Sequence, residues 1–345
     1  MRVAVFGASG YSGLELLRIL LRHPKAELVS VSSEQRAGVP VSTAFPSLRG
    51  LLEMRFEAAR PDALAGRVDI VFTALPHAAS APIVASLRKA GLTVIDLSAD
   101  FRLRSPDAYA KWYGEHPAPE LFGKAVYGLP ELRREEIRHA EFVASPGCYP
   151  TSVLLPLAPF LRAGLIETGT ILADSKSGVS GAGRTLEEQY LFAELDENCR
   201  AYKVGGSHRH VPEMEQEASA LAGEPVRIGF VPHLLPTIRG IATSVYARPK
   251  RPLGTDEAQA VLAAAYRGER FVRVLPPGET PSLASVRGSN FCDVAATVDE
   301  RTGLLVLLSS LDNLVKGAGG QAVQCMNLMR GLPEEVGLVE APLVP

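Results

Sequence analysis

A cysteine placed between a short apolar run and a helix start is the first feature of this chain that suggests chemistry. Phe142-Val143-Ala144 reads as a strand and Pro146-Gly147 as a tight turn. Pro150 reads as the first helical position, where proline is best tolerated, and Val153-Leu154-Leu155 carries that helix onward. Cys148 therefore lies at a helix N-terminus. Unpaired N–H groups and the positive end of the helix dipole favour the thiolate there, and the thiolate is the nucleophilic form. A lone cysteine is more often a small core residue, so its partners decide. Seven histidines are present. His208 and His210, in the polar turn Gly206-Ser207-His208-Arg209-His210, suit an active-site loop better than the others. They are too close in sequence to share a helical face, so one can reach the site while a neighbour holds the other. Glu213 either orients a histidine or supports the start of the following helix. No third His, Cys or Asp lies at ligand spacing, so no metal centre is expected.

The second chemical signal is at the start of the chain. Arg2-Val3-Ala4-Val5-Phe6 is an apolar run of the kind found in buried parallel strands. Gly7-Ala8-Ser9-Gly10-Tyr11-Ser12-Gly13 follows, and Leu14 to Leu20 has helical periodicity. Strand, glycine-rich turn and helix in that order form a dinucleotide-binding arrangement, with the pyrophosphate at the helix N-terminus. The glycine spacing is GxxGxxG rather than GxGxxG. Glu27 to Ser32 is the second strand and ends in Ser33-Glu34-Gln35-Arg36. The serines and Arg36 could bind a 2'-phosphate, whereas Glu34 pointing inward would oppose one, and the balance favours NADP(H) over NAD. Asp69 to Pro76 is a further strand, and the backbone of Leu75, Pro76 and His77 should pass beside the cofactor. Arg102 lies just past the strand Leu92 to Leu97. It is either an anion clamp or a salt-bridge partner of Asp96 or Asp100.

The elements that must position these residues fall into two groups. Residues 1–148 read as a Rossmann-type domain with a parallel sheet, completed by a C-terminal helical segment spanning 317–345. Residues 149–316 read as an α+β catalytic domain on a mixed or antiparallel sheet, because strands there follow one another with short links. Residues 105–140 read as a surface excursion. Thr170 to Lys176 leads into a second glycine-rich loop, Ser177-Gly178-Val179-Ser180-Gly181, suited to close approach of the nicotinamide side of a cofactor. Packing of the last helix on the first domain would bring Asn313 near the cofactor.

The length, 345 residues, fits two domains. A net charge of −2 argues against nucleic-acid or membrane-surface binding as the main role. Four cysteines without a CxxC pair suggest a reducing cytoplasm, and no apolar run is long enough to span a membrane.

A nicotinamide fold combined with a thiolate and a histidine points to acyl chemistry: attack on an activated carbonyl, then reduction of the thioester. The glycine loop, Ser145-Pro146-Gly147-Cys148-Tyr149-Pro150-Thr151 and His208-Arg209-His210-Val211-Pro212-Glu213 together resemble the N-acetyl-γ-glutamyl-phosphate reductase family, relatives of aspartate-semialdehyde dehydrogenase. The resemblance covers nearly the whole chain. It implies NADPH-dependent reduction of an acyl phosphate to a semialdehyde, with Cys148 as nucleophile, His208 as acid/base, and His210 and Glu213 in support. It also implies that Ser9 to Gly13, Ser33, Arg36 and Asn313 line the NADP site, that Arg102, Lys176 and Arg209 are candidates for the substrate phosphate, and that the chain forms a homo-oligomer, a dimer or tetramer.

Within the family the sequence most resembles the branch acting in lysine synthesis on aminoadipate 6-phosphate attached to LysW, a small acidic carrier protein. Arg133, Arg134, Arg200, Lys203 and Arg209 could present basic charge to such a partner. The enzyme of arginine synthesis, acting on N-acetyl-γ-glutamyl phosphate, is the alternative substrate reading. A non-catalytic NADP-binding sensor with Cys148 as redox switch is the alternative of a different class.

Overall fold

The protein is described by a computed structural model covering residues 1–344. It divides into two compact units. The first comprises Met1–Pro146 and Ala318–Val339. The second comprises Gly147–Gly317 and the residues from Glu340 on. The boundary between Pro146 and Gly147 places Cys148 in the second unit.

In the first unit, among the described residues, six strands form one sheet: β1 (Arg2–Phe6), β2 (Glu27–Ser32), β3 (Ile70–Thr73), β4 (Val94–Asp96), β5 (Val126–Tyr127) and β6 (Phe142–Ala144), in the order β2-β1-β3-β4-β6-β5. Every pairing is parallel. The order runs outward from β1 in both directions, so the strand ends flanking the glycine loop lie at a switch point, where such sheets bind ligands. β3 and β4 are buried throughout, as the unbroken apolar runs require. Phe6, Val71, Val84, Leu87 and Phe142 belong to one core cluster, each side chain contributing about 1.5–3 kcal/mol of burial. The segment 105–140 is more ordered than a surface excursion. It holds helices Pro106–Tyr113 and Pro130–Arg138 and the edge strand β5. Ser105 caps the first of these helices and a proline opens each, signals legible at single positions but diluted by the surrounding charge. The helix Gly320–Met329 belongs to this unit. His23 Nε2 meets Asn327 Oδ1 at 2.9 Å and Gln324 donates to buried Glu131 at 3.1 Å.

In the second unit, among the described residues, seven strands form a mixed sheet. These are β7 (Ile171–Gly178), β8 (Arg200–Ala201), β9 (Ile228–Leu235), β10 (Ile241–Ala247), β11 (Val272–Val274), β12 (Cys292–Asp299) and β13 (Leu304–Leu311), in the order β11-β12-β13-β10-β7-β9-β8. β7 with β9 and β11 with β12 are parallel, and the other pairs are antiparallel. The central strands alternate between buried and partly exposed positions, so one face is covered and the other open. The covered face packs against the helix Cys148–Arg162, buried from Tyr149 to Leu161. Hydroxyls fix its place: Ser152 Oγ meets Thr243 Oγ1 at 2.8 Å, Ser175 Oγ meets the same oxygen at 2.8 Å, and Ser309 Oγ donates to Ser152 O at 2.6 Å. That helix begins at Cys148 with Gly147 as its N-cap, two residues before the start expected from Pro150. Proline is tolerated two positions further in because the N–H groups of the first turn lack intrahelical partners in any case.

Candidate active site

The glycine loop of the first unit is shaped by two positions where only glycine fits. Gly7 has φ +77°, and a Cβ there would lie 2.5 Å from Ala74 O. A Cβ on Gly13 would lie 2.6 Å from Ala8 Cα. Gly10, by contrast, faces open space out to 4.0 Å and caps the helix Tyr11–Leu20 without a side-chain hydrogen bond. A backbone cradle with an uncapped helix N-terminus fits a pyrophosphate carried by Ser9, Gly10, Tyr11, Ser12 and Gly13. Beside it, Ser9 Oγ and Ser33 Oγ are 2.8 Å apart. Glu34 Oε1 accepts the Ala59 N–H at 2.6 Å, which ties its carboxylate to the backbone. Gln35 is exposed, and the half-buried Arg36 guanidinium has no partner among the described residues. These donors fit a dinucleotide bearing a 2'-phosphate.

After β3 the turn through Leu75 and Pro76 reaches Ala78, whose φ of 64° is strained for a residue with a side chain. Asp100 holds that strain. Its carboxylate accepts the N–H groups of Ala78 at 2.8 Å and Ala81 at 3.0 Å, and the Tyr109 hydroxyl at 2.9 Å. His77 makes an edge contact with the Tyr113 ring. Arg102 is nearly buried, with Nε donating to Ser145 O and Nη2 to Leu97 O, both at 2.8 Å. It braces the backbone at the ends of β4 and β6.

In the second unit, Cys148 is the first helical residue and is only partly exposed. Buried Glu213 accepts the Gly147 N–H at 2.9 Å and so holds the turn that presents the thiol. The histidine loop packs on the next residue, Tyr149. His208 and His210 approach the Tyr149 ring edge-on at 5.5 and 5.9 Å, and each other at 4.9 Å. The Tyr149 and Tyr202 hydroxyls are 2.8 Å apart. Burial pushes both phenols upward in pKa, and the neighbouring Cys148 charge adds to that in each. A Ser177 side-chain hydrogen bond acts on Tyr149 in the opposite sense. The structure therefore brings Cys148, His208, His210 and Ser177 around Tyr149, with Glu213 on the Gly147 N–H two residues earlier.

His208 is wrapped by the rings of Tyr149, Tyr202, His210 and Phe230. Burial, with the charges of Lys203 and Arg209, lowers its pKa to about 4. Its Nδ1 lies 3.1 Å from the His210 backbone N–H and accepts from it, which assigns the ring proton to Nε2. His210 is half-buried.

Not every expected residue gathers there. Lys176 lies on the open face of the sheet, opposite the cysteine helix, paired with Asp174 at 2.7 Å, and Asp174 also faces His233 Nδ1 at 3.1 Å. Arg209 is half-buried beside His208. Gly178 packs against backbone, where a Cβ would meet Ile238 O at 2.7 Å. Asn313 is engaged within its own unit. It accepts the Gly240 N–H at 2.8 Å and donates to Ser180 Oγ at 3.0 Å, so it fixes the second glycine-rich loop. Sequence reasoning missed Tyr202, in a segment without periodicity, and Gly317, in an apparent helix. Neither carries a sequence signal of its own.

Comparison with known proteins shows the family. Residues 2–140 match the family model of the semialdehyde dehydrogenase NAD binding domain, and residues 148–313 match that of the semialdehyde dehydrogenase dimerisation domain. The N-acetyl-gamma-glutamyl-phosphate reductase of Citrifermentans bemidjiense is 54% identical over 345 residues, covering 100% of both chains. The protein of that name from Geobacter sulfurreducens is equally similar over the same span. The chain belongs to the N-acetyl-gamma-glutamyl-phosphate reductase family. It is an oxidoreductase of the semialdehyde dehydrogenase type. The fold extends to aspartate semialdehyde dehydrogenase of Candida albicans, solved with NADP, at TM-score 0.72 and 17% identity over 95% of this chain and 98% of that one. Aspartate semialdehyde dehydrogenase II of Vibrio cholerae gives TM-score 0.71 at 19% identity over 96% of this chain and 98% of that one.

These relatives overturn the expectation of a LysW-linked aminoadipate substrate, since their names specify the acetylated glutamyl phosphate. Three of the five basic residues behind that expectation have partners of their own. Arg133 pairs with Glu136 at 3.0 Å, Arg134 with Glu334 at 2.5 Å, and Arg200 donates to Gln189 at 2.5 Å. Among the described residues, no helix is long and apolar enough to cross a membrane.

Proposed function

We propose that this protein reduces N-acetyl-γ-glutamyl phosphate to N-acetylglutamate semialdehyde with NADPH, releasing inorganic phosphate. The observation that carries the reading is Cys148 as first residue of a helix, its preceding N–H held by buried Glu213. The thiolate attacks the acyl carbonyl, the new C–S bond replaces the C–O bond to phosphate, and phosphate leaves. NADPH, when bound, would supply a hydride to the thioester carbon, after which the C–S bond breaks, the aldehyde is released and the Cys148 thiolate is restored.

Two histidines divide the proton work. Neutral His208 presents Nε2–H as a fixed hydrogen-bond donor, because its other nitrogen already accepts from the backbone. His210 takes the proton from the thiol, which exchanges the roles expected from sequence. Ser33, Ser9 and Arg36 bind the 2'-phosphate, and the glycine loop binds the pyrophosphate.

The open sheet face supports a homo-oligomer. Leu172 pairs in register with Tyr246, which pairs with Val306, and Val231 lies on the same face, leaving an apolar stripe partly exposed. Free cysteines throughout the chain support a reducing cytoplasm as its location.

The test runs the reaction in reverse, with NADP, phosphate and N-acetylglutamate semialdehyde, following NADPH formation. Turnover with this aldehyde well above that with aspartate semialdehyde is expected. Cys148→Ala should abolish turnover and leave NADPH affinity within about twofold, since the thiol removes no cofactor contact. Full turnover in Cys148→Ala would overturn the reading.

A further inference from the structure

Gly317 is a glycine whose backbone does not call for one. Its φ is not positive, and it lies in the single π-helical turn Val315–Gly319 that follows β13. Any residue can adopt that conformation, and alanine favours a helical backbone over glycine by about 1 kcal/mol. The requirement comes from space. A Cβ on Gly317 would lie 2.8 Å from Cys148 Cβ and 3.3 Å from Cys148 Cα. The clashing atoms are next to the main chain, so no rotamer change removes the clash.

The turn carrying Gly317 is held from behind. The Gly317 N–H donates to Asp312 O at 2.9 Å. Buried Asp312 accepts the N–H groups of Leu314 at 2.8 Å and Val315 at 3.2 Å through one carboxylate oxygen, and that of Gly288 at 2.7 Å through the other. The next residue, Asn313, is anchored through Gly240 and Ser180. Two successive polar side chains thus fix a short irregular turn, of a kind that recurs at functional sites, against the thiol-bearing residue.

We propose that Gly317 is a positioning residue for Cys148: the Asp312-anchored π turn is the seat on which the nucleophile rests, and glycine is required because a methyl group would displace it. This rests on Cys148 being the nucleophile. A displacement approaching 1 Å at a reacting atom lowers turnover by about 100-fold, so Gly317→Ala should lower kcat by about 10- to 100-fold.

The full-length protein is tested as Gly317→Ala by steady-state kinetics and by the pH profile of Cys148 alkylation with iodoacetamide. Cys148→Ala gives the background from exposed Cys199. The proposal expects the loss in kcat, KM for both substrates within about threefold, and an upward shift of the alkylation midpoint as the thiol leaves the helix N-terminus. A merely structural glycine would lower the melting temperature and leave that midpoint in place. Should Gly317→Ala fail to fold, Asp312→Asn loosens the same turn with Gly317 intact and is expected to shift kcat and the midpoint in the same directions. Wild-type kcat and alkylation in the folded variant, with Cys148→Ala inactive, would overturn the seat alone. An active Cys148→Ala would overturn the nucleophile reading as well.

Discussion

His208 offers a prediction whose size follows from its surroundings. Its pKa falls from 6.5 to about 4 because the folded protein buries the ring beside Lys203 and Arg209. The unfolded chain therefore binds a proton between those two values that the folded chain does not. Stability contributed by the neutral ring is complete above pH 6.5 and is lost as pH falls toward 4. At 1.36 kcal/mol per pH unit the full loss is about 3 kcal/mol, and between about pH 7.5 and about pH 5 it is about 2 kcal/mol. His208→Asn keeps an acceptor for the His210 N–H and removes the titration. Urea unfolding of both proteins at the two pH values isolates the effect, because His23, also lowered by burial, is common to both. The wild type should lose about 2 kcal/mol more than the variant on acidification. The acid limb of kcat/KM in the wild type should also show no His208 ionisation near 6.5. Equal pH dependence in the two proteins, or a limb near 6.5 that disappears in His208→Asn, would refute the reasoning.

Two further outcomes are expected. Arg36→Ala should weaken NADPH binding by about tenfold or more and leave NADH unchanged, since a charge-assisted hydrogen bond to phosphate contributes about 1.5–3 kcal/mol; equal losses for both dinucleotides in a fluorescence titration would count against a 2'-phosphate contact. Leu172→Asp, on the open sheet face, should raise the dissociation constant of the oligomer by about 100-fold or more in sedimentation, because an unpaired buried charge costs about 3–5 kcal/mol, whereas an unchanged oligomer would place the interface elsewhere.

The sequence by itself determined the parallel sheet of the first unit, the mixed sheet of the second and the helix-initial cysteine. Each rests on local rules: unbroken apolar runs for strands buried on both faces, glycines where the chain turns, short links between antiparallel strands. It also singled out the glycine loop, because Gly13 is fixed by contacts within one strand-turn-helix unit and Gly7 turns the chain at positive φ, although its close approach to Ala74 is a tertiary one. The substrate was misjudged from surface basic residues, of which Arg133 and Arg134 have their charges met by Glu136 and Glu334.

Only the tertiary structure decided the rest. It brought Tyr202 to Tyr149 and Glu213 to Gly147, and it put Lys176 on the far side of the sheet from Cys148. It also turned Gly317 from an ordinary helix residue into a neighbour of the cysteine. Those contacts join segments about 50 to 170 residues apart, and no local periodicity encodes which side chains meet when two distant segments pack. The state of His208 has the same origin: imidazole is ordinary in the chain, and its burial among rings and cations lowers its proton affinity.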